Sequence, residues 1–268
     1  MKVLDNIEQL HIEGTSKGNQ AKFFCNGYWI KLDNPNCSEG LAEEFVSLFC
    51  DCIYDFPHVM YHTDRFSYLE NIYNGCYSYN MYDDCSVSFI SMRRLLRTCG
   101  IPLNLFIKDS DTKKNILNVV DLVEQKTGIN TLNYFRQLLL LDALILNEDR
   151  HIMNMGLCLK DNRYMLAPVF DNGSSLFCIN WIYRKSKTLE QNIESAKSVA
   201  RPFSKFYDKQ VDAVLQLTQR PLLIDKKKVD YLLKNYYNEL YPEDMNKRIK
   251  AVLMNRLDYY NGKAFIYV

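Results

Sequence analysis

The sequence predicts an α+β chain in two lobes, a small mixed β/α lobe over residues 1–90 and a larger, mainly helical lobe over 91–268. Three observations carry that expectation. Asn26-Gly27 joins two short β-prone runs, and a helical pattern follows soon after them. Beyond residue 90 apolar residues recur at helical spacing in segment after segment. The run 138–146 is apolar enough for a central buried helix. Strands first and helices after is the ordering of an α+β architecture.

Taken in order, residues 14–20 (Gly-Thr-Ser-Lys-Gly-Asn-Gln) read as a small-residue loop, and 21–25 and 28–32 as the arms of a hairpin. Ser38 is placed to cap a helix over 39–52 whose buried side carries Leu41, Val46, Leu48 and Phe49. The stretch 57–84 is dense in tyrosine and asparagine and poor in period, so irregular strands and connections are expected there, with the lobe boundary nearby. Helices are expected over 91–99, 112–126 and 132–146. A short hairpin follows, 155–159 with 164–168, turning at 160–163. Three amphipathic segments, 204–218, 226–240 and 242–260, finish the chain, and there is no internal repeat or low-complexity tract.

The bulk numbers exclude several classes. With 268 residues, 47% of them hydrophobic, there is ample material for a packed core. Lys and Arg (33) nearly cancel Asp and Glu (32), so no global field draws the chain to nucleic acid, and no nucleic-acid partner is expected. Nine scattered cysteines, an odd count, read as reduced thiols of a cytoplasmic protein. With no Cys-x-x-Cys and only four histidines, zinc is not expected. The N-terminus lacks an apolar signal core, and the run 138–146, broken by Asp142, is too short to span a bilayer.

The chemistry concentrates in two segments. In Asn147-Glu-Asp149-Arg-His151-Ile-Met-Asn154, an Asp and an Asn stand five apart. Protein kinases use that separation, since a short loop must aim a carboxylate at the acceptor hydroxyl and an amide at the metal. Asp171 follows in Val-Phe-Asp171-Asn-Gly173, and the expected hairpin returns the chain to the same mouth, where Asp171 can offer a second metal ligand. Gly173 is expected to permit the sharp turn after it. Upstream, Lys31 ends the strand 28–32, a position that suits a lysine meant to grip phosphates, and Glu43 or Glu44 on the next helix can hold it by an ion pair. Gly14 and Gly18 let the loop between them approach phosphate oxygens.

Residues 147–156 (NEDRHIMNMG) with 166–176 (LAPVFDNGSSL) closely resemble the catalytic segments of HipA-like serine/threonine kinases, whose fold is akin to that of phosphatidylinositol kinases with their Asp-Arg-His-x-x-Asn loop. Residues 14–22 and 39–43 look like that family's nucleotide loop and paired helix, although only 147–176 is specific. The resemblance implies a two-lobed protein-kinase-like fold, and ATP with Mg²⁺. It implies Asp149 and His151 as catalytic residues, and Asn154 and Asp171 on the metal. Gly14, Thr15, Ser16, Lys17, Gly18, Lys31 and Glu43 would lie on the nucleotide, Glu43 being selected over Glu44 by the family pattern alone. Autophosphorylation is common in the family, with Ser16 the matching position, so the acceptor is expected to be a protein, the chain itself included. Full-length HipA proteins are much longer and carry an additional N-terminal region, so antitoxin pairing and association with DNA are not carried over; a regulatory partner is left open.

Ordinary readings stand beside these. Asp149 can simply cap a loop or pair with Arg150, Asp-Asn-Gly is a common turn, and Lys31 can be an edge-strand lysine. His151 reads more readily as a hydrogen-bonding prop than as a proton carrier. Two further functional readings remain beside a protein kinase: a lipid or small-molecule kinase, which shares the Asp-Arg-His-x-x-Asn loop, and a catalytically weak nucleotide-binding module that uses the fold for partner contact.

Overall fold

The computed structural model describes residues 2–4, 20–81, 87–100, 111–179 and 183–268. The Asn26-Gly27 turn forms as its chemistry dictates. Both residues take positive φ (50° and 81°) and join β2 (Lys22–Cys25) to β3 (Tyr28–Leu32), with Lys22 opposite Lys31. With β1 (Lys2–Val3), β4 (His62–Tyr68) and β5 (Asn71–Tyr79) they make a five-stranded sheet in the order β1-β4-β5-β3-β2. Strands were expected within 57–84, but as irregular ones; those that form are regular. β4 and β5 form an unbroken antiparallel ladder from His62–Tyr77 to Tyr68–Asn71. It turns at Leu69-Glu70, both with positive φ (49° and 61°), where no glycine or proline advertises a turn. Leu4, Phe23, Ile30, Leu32 and Phe66 give this sheet a small core of its own.

α1 (Glu39–Cys50) follows β3. Ser38 sits at its N-cap but its side chain makes no capping bond; Asp33 Oδ1 accepts the Gly40 N–H at 2.7 Å instead. Leu41, Phe45, Val46 and Phe49 of α1 enter a second, much larger core that also contains the helices further along the chain. The helix is therefore packed on two sides, against β4 and β5 and into that larger core.

The remaining chain is mainly helical: α2 (Met92–Thr98), α3 (Thr112–Thr127), α4 (Leu132–Ile145), α5 (Leu189–Ala196), α6 (Tyr207–Thr218), α7 (Lys226–Asn235) and α8 (Glu243–Tyr260). In α4 every residue from Tyr134 to Ile145 is buried, polar ones included, as its long apolar run predicts for a central helix. The hairpin after it forms as expected, β7 (Gly156–Lys160) with β8 (Arg163–Leu166), and gains a third strand, β6 (Ser88–Ser91), in the order β6-β7-β8. β9 (Leu222–Ile224) and β10 (Phe265–Tyr267) pair in parallel and tie the C-terminus to the start of α7. No helix among the described residues is long and apolar enough to cross a membrane.

Candidate active site

Lys31, at the end of β3, points between two acids that lie far from it in sequence. Its Nζ is 2.6 Å from Glu43 Oε1 on α1 and 2.6 Å from Asp171 Oδ1 in the segment after β8. Glu44 points elsewhere: its carboxylate accepts from Thr63, Tyr236 and Asn238. Burial alone would lower the Lys31 pKa, but the Asp171 and Glu43 carboxylates outweigh it and hold the ammonium well above its ordinary value. Burial likewise works to raise the Asp171 carboxyl, yet Lys31, followed by Lys22 and Arg150, keeps it far below the usual carboxylate range. Lys31 and Asp171 thus stand as a charged pair at neutral pH, with Glu43 on the other side of the lysine.

The second segment is built from the C-terminal end of α4. Leu146 takes a left-handed conformation (φ 50°) that ends the helix and starts the loop. Asn147 Oδ1 then accepts the Asp149 N–H at 3.0 Å, and Asn154 Nδ2 donates to the Asp149 carbonyl at 3.3 Å, closing the loop on itself. His151 Nε2 lies 3.7 Å from Asp149 Oδ2, while its Nδ1 accepts the Met153 N–H at 3.3 Å, which places the ring proton of a neutral imidazole on Nε2, toward Asp149. Burial lowers the His151 pKa and the Asp149 charge opposes that only in part, so the neutral form prevails at pH 7.

Arg150, which sequence reasoning treated only as a casual partner for Asp149, organises both segments from a position with no solvent exposure. It grips Asp142 of α4 through Nε and Nη2 at 3.0–3.1 Å. It also donates to the Phe170 carbonyl at 2.7 Å, the Asn154 carbonyl at 3.3 Å and Asn172 Oδ1. Asn172 N–H in turn donates to Glu43 Oε2 at 2.8 Å, so one chain of bonds runs from α4 through Arg150 and Asn172 to Glu43 and Lys31. The only sequence signal for this role was Asp142 interrupting the apolar run of α4, an acid that needs a buried partner.

Gly173 was expected to supply the sharp turn. The left-handed residue is Asp171 itself (φ 61°), and at Gly173 a Cβ would sit 3.1 Å from the Glu39 Cβ, a tight contact that Glu39 would have to yield to by a few tenths of an ångström. A non-glycine residue held at positive φ by Lys31 is local strain at the point where function is expected.

Two adjoining cavities meet at Asn154 and Asp171. The larger, about 420 Å³, is walled by Trp29, Val59, Tyr61, Met81, Phe89 and Phe170 and floored by Lys31, the size and apolar character of a small-molecule pocket. The smaller, about 70 Å³, is polar and brings Asp149 and His151 to Asn154 and Asp171. Lys22 of β2 faces both, a second cation that sequence reasoning did not single out. Gly14, Thr15, Ser16, Lys17 and Gly18 lie outside the described residues. Among the described residues no three His, Cys, Asp or Glu side chains form a ready-made metal cage. Asn154 and Asp171, where the two cavities meet, offer an amide oxygen and a carboxylate, hard oxygen ligands of the kind that hold Mg²⁺ together with phosphate and water oxygens.

No family model matches the chain, and no curated protein matches it in sequence. Solved structures do. The chain is similar to the Helicobacter pylori proinflammatory kinase CtkA, with 17% identity and a TM-score of 0.61 over 96% of this chain and 94% of that one. It is also similar to HipA of the Shewanella oneidensis MR-1 toxin–antitoxin system, solved with HipB and operator DNA, with 12% identity and a TM-score of 0.50 over 96% of this chain and 66% of that one. The fold is therefore that of HipA-like kinases.

Proposed function

We propose that this chain is a HipA-like kinase, transferring the γ-phosphoryl group of ATP to a serine or threonine hydroxyl of a protein in the cytoplasm. The observation that carries the reading is Lys31 fixed between Glu43 and Asp171, on the wall where an apolar cavity opens into a polar mouth lined by Asp149 and Asn154. In this reading the five-stranded sheet and α1 form one lobe and the helices the other. The pairing of β6 with β7 supports counting residues 88–91 with the helical lobe, close to the proposed boundary at residue 90.

The apolar cavity would take the adenine ring, and Lys31 and Lys22 would offset the charge of phosphates reaching toward Asp171. Mg²⁺, when held by Asn154 and Asp171, neutralises charge on the phosphate oxygens and helps align them. Asp149 receives the acceptor hydroxyl. As the new O–P bond forms, the hydroxyl proton passes to the Asp149 carboxylate, and the bond to the β-phosphate oxygen breaks with its electron pair leaving on ADP. His151 stands beside that carboxylate with its Nε2 side 3.7 Å away, too far for a direct hydrogen bond, and lines the polar mouth with it. Ser16 is the candidate acceptor within the chain itself.

Purified protein incubated with radiolabelled ATP and Mg²⁺ should label itself or a generic protein acceptor. Lys31→Met, Asp149→Asn and Asp171→Asn should each abolish transfer while the protein stays folded. Undiminished labelling in these variants would remove the assigned roles, and transfer to inositol lipids in preference to proteins would redirect the reading to a lipid kinase.

A further inference from the structure

Arg201 stands beside the carboxylate that receives the acceptor. Its Nη1 lies 3.5 Å from Asp149 Oδ1, on the oxygen opposite the one facing His151, and its side chain is 57% exposed. Among the described residues this is its only ion pair.

The loop that presents Arg201 is built with care. Gln210 of α6, fully buried, donates through Nε2 to the Arg201 carbonyl at 3.0 Å and accepts the N–H groups of Phe203 and Ser204 at 2.9 and 3.3 Å. Ala200 N–H closes the loop on the Lys205 carbonyl at 3.0 Å, and Phe203 packs edge-on against Phe135 of α4 at 5.3 Å. The same first turn of α6 holds the other side: Tyr207 OH donates to the Asn147 carbonyl at 2.7 Å, and Asn147 fixes the Asp149 N–H. One helix end thus sets the position of Asp149 and of Arg201 relative to each other, while leaving the guanidinium in solvent.

A residue whose task was to orient Asp149 would close on it as a charge-assisted hydrogen bond near 2.8 Å, often through two donors, as Arg groups do with carboxylates. Arg201 stops short of that, and more than half of its side chain is exposed. The surrounding sequence has the same sign. Residues 183–209 carry seven Lys and Arg against three Asp and Glu, a net +4, whereas the whole chain is only +1. Arg184, Lys185, Lys205 and Lys209 are exposed among them.

From these observations, and resting on the phosphotransferase reading above, we infer that Arg201 is the acceptor-selecting residue. It takes the carboxylate of an acidic side chain next to the serine or threonine whose hydroxyl enters against Asp149. The preferred acceptor is then an acidic segment of a protein. The basic stretch 183–209 supplies long-range attraction, and Arg201 supplies the choice made at the mouth.

The test compares three serine peptides, flanked by Asp, by Ala or by Lys, with wild-type protein, Arg201→Ala and Arg201→Glu. For the wild type the Asp-flanked peptide should have the highest kcat/KM. Arg201→Ala should raise its KM by about tenfold with kcat little changed, the scale of one partly desolvated charge-assisted contact, and leave the Ala-flanked peptide unaffected. Arg201→Glu should shift preference to the Lys-flanked peptide. Equal losses of kcat on all three peptides in Arg201→Ala would overturn the inference, making Arg201 a positioning residue for Asp149, and so would no change on any. If the wild type transfers phosphate to peptides without favouring Asp, only the role of Arg201 falls. If it transfers phosphate to no acceptor and Asp149→Asn behaves identically, the phosphotransferase reading falls first and Arg201 goes with it.

Discussion

Arg150→Met tests the internal wiring of the site without reference to any substrate. The side chain is fully buried, and methionine keeps its unbranched stem while removing the guanidinium, so the substitution deletes the charge and donors and retains most of the apolar packing. What it leaves is Asp142, buried at 0% exposure and stripped of its partner, together with the Phe170 and Asn154 carbonyls that Arg150 had satisfied. Removing one member of a buried ion pair costs about 3–5 kcal/mol, because the charge left behind is uncompensated. For a chain of this size that is a fall in Tm on the order of 10 °C. Burial already raises the Asp142 carboxyl despite the opposing pull of Arg150, so loss of the guanidinium raises it further. The sign follows: the carboxyl protonates more readily in the folded variant than when unfolded, so the deficit shrinks as pH falls and grows as pH rises. Adding Asp142→Leu should recover most of the loss, to within about 2 kcal/mol of wild type, since a hydrophobic pair can replace a buried ion pair at little cost. Thermal unfolding followed by circular dichroism at pH 5.5 and pH 8 reads all of this. A single variant within about 2 °C of wild type, or a double variant no more stable than the single one, would refute the reasoning.

Glu43→Gln should abolish phosphotransfer, because the amide cannot accept from both Lys31 and Asn172, whereas Glu44→Gln, which keeps one acceptor oxygen for Tyr236 or Asn238 and so part of the hold on α1, should lower Tm and reduce activity only modestly; paired activity and melting measurements separate the two. Gly75→Ala should destabilise by about 3 kcal/mol or more, since its Cβ would lie 2.2 Å from the Lys31 carbonyl oxygen inside a β-ladder that cannot spread; a soluble variant with wild-type Tm would contradict the strand register. Burial, reinforced by Glu39, lifts the Asp33 carboxyl to about 7, and burial beside Asp149 lifts that of Glu148 to about 8. Both are acids raised on folding, so their contribution is present at low pH and lost as pH rises through 7 and 8; Tm should decline from pH 5.5 to pH 9, and Asp33→Asn should flatten the lower part of that decline, which a titration of Tm checks.

Much of this was legible where a residue type and its spacing leave few choices. Asn26-Gly27 determined the first hairpin, the apolar run of α4 its burial, and the separations among Asp149, Asn154 and Asp171 the presence of a loop, a hairpin and a return to one mouth. What escaped detection depended on partners distant in sequence. The β4–β5 ladder turns on Leu69-Glu70, residues that tolerate positive φ only because paired strands hold them there. Arg150 looks like any loop arginine until α4 delivers Asp142 to it from eight residues upstream. Arg201 lies in a segment without periodicity, placed by Gln210, while Tyr207 of the same helix fixes the Asp149 loop opposite it through Asn147, bonds that sequence pattern does not encode.

The adjacent acids Glu43 and Glu44 show how the distant parts of the chain combine to fix the site. Successive helix residues point about 100° apart, so the two carboxylates cannot serve the same partner, and the choice between them is a choice of helix rotation. That rotation is set from outside the site. The segment between α7 and α8 reaches back to α1 and its neighbours: Tyr236 OH and Asn238 Nδ2 donate to Glu44 Oε2 at 2.8 and 2.7 Å. Tyr241 OH donates to Asp33 Oδ2 at 2.8 Å, just before α1 begins, and the Leu240 carbonyl accepts from Asn74 on β5 at 2.7 Å. With Glu44 held by this strap, α1 has one remaining phase, and in it Glu43 faces inward to Lys31 and to the Asn172 N–H. Arg150 approaches the same point from the other direction, through Asn172. The position of Lys31 is therefore fixed from two sides, by the C-terminal strap acting on α1 and by α4 acting through Arg150, neither of which touches the lysine itself.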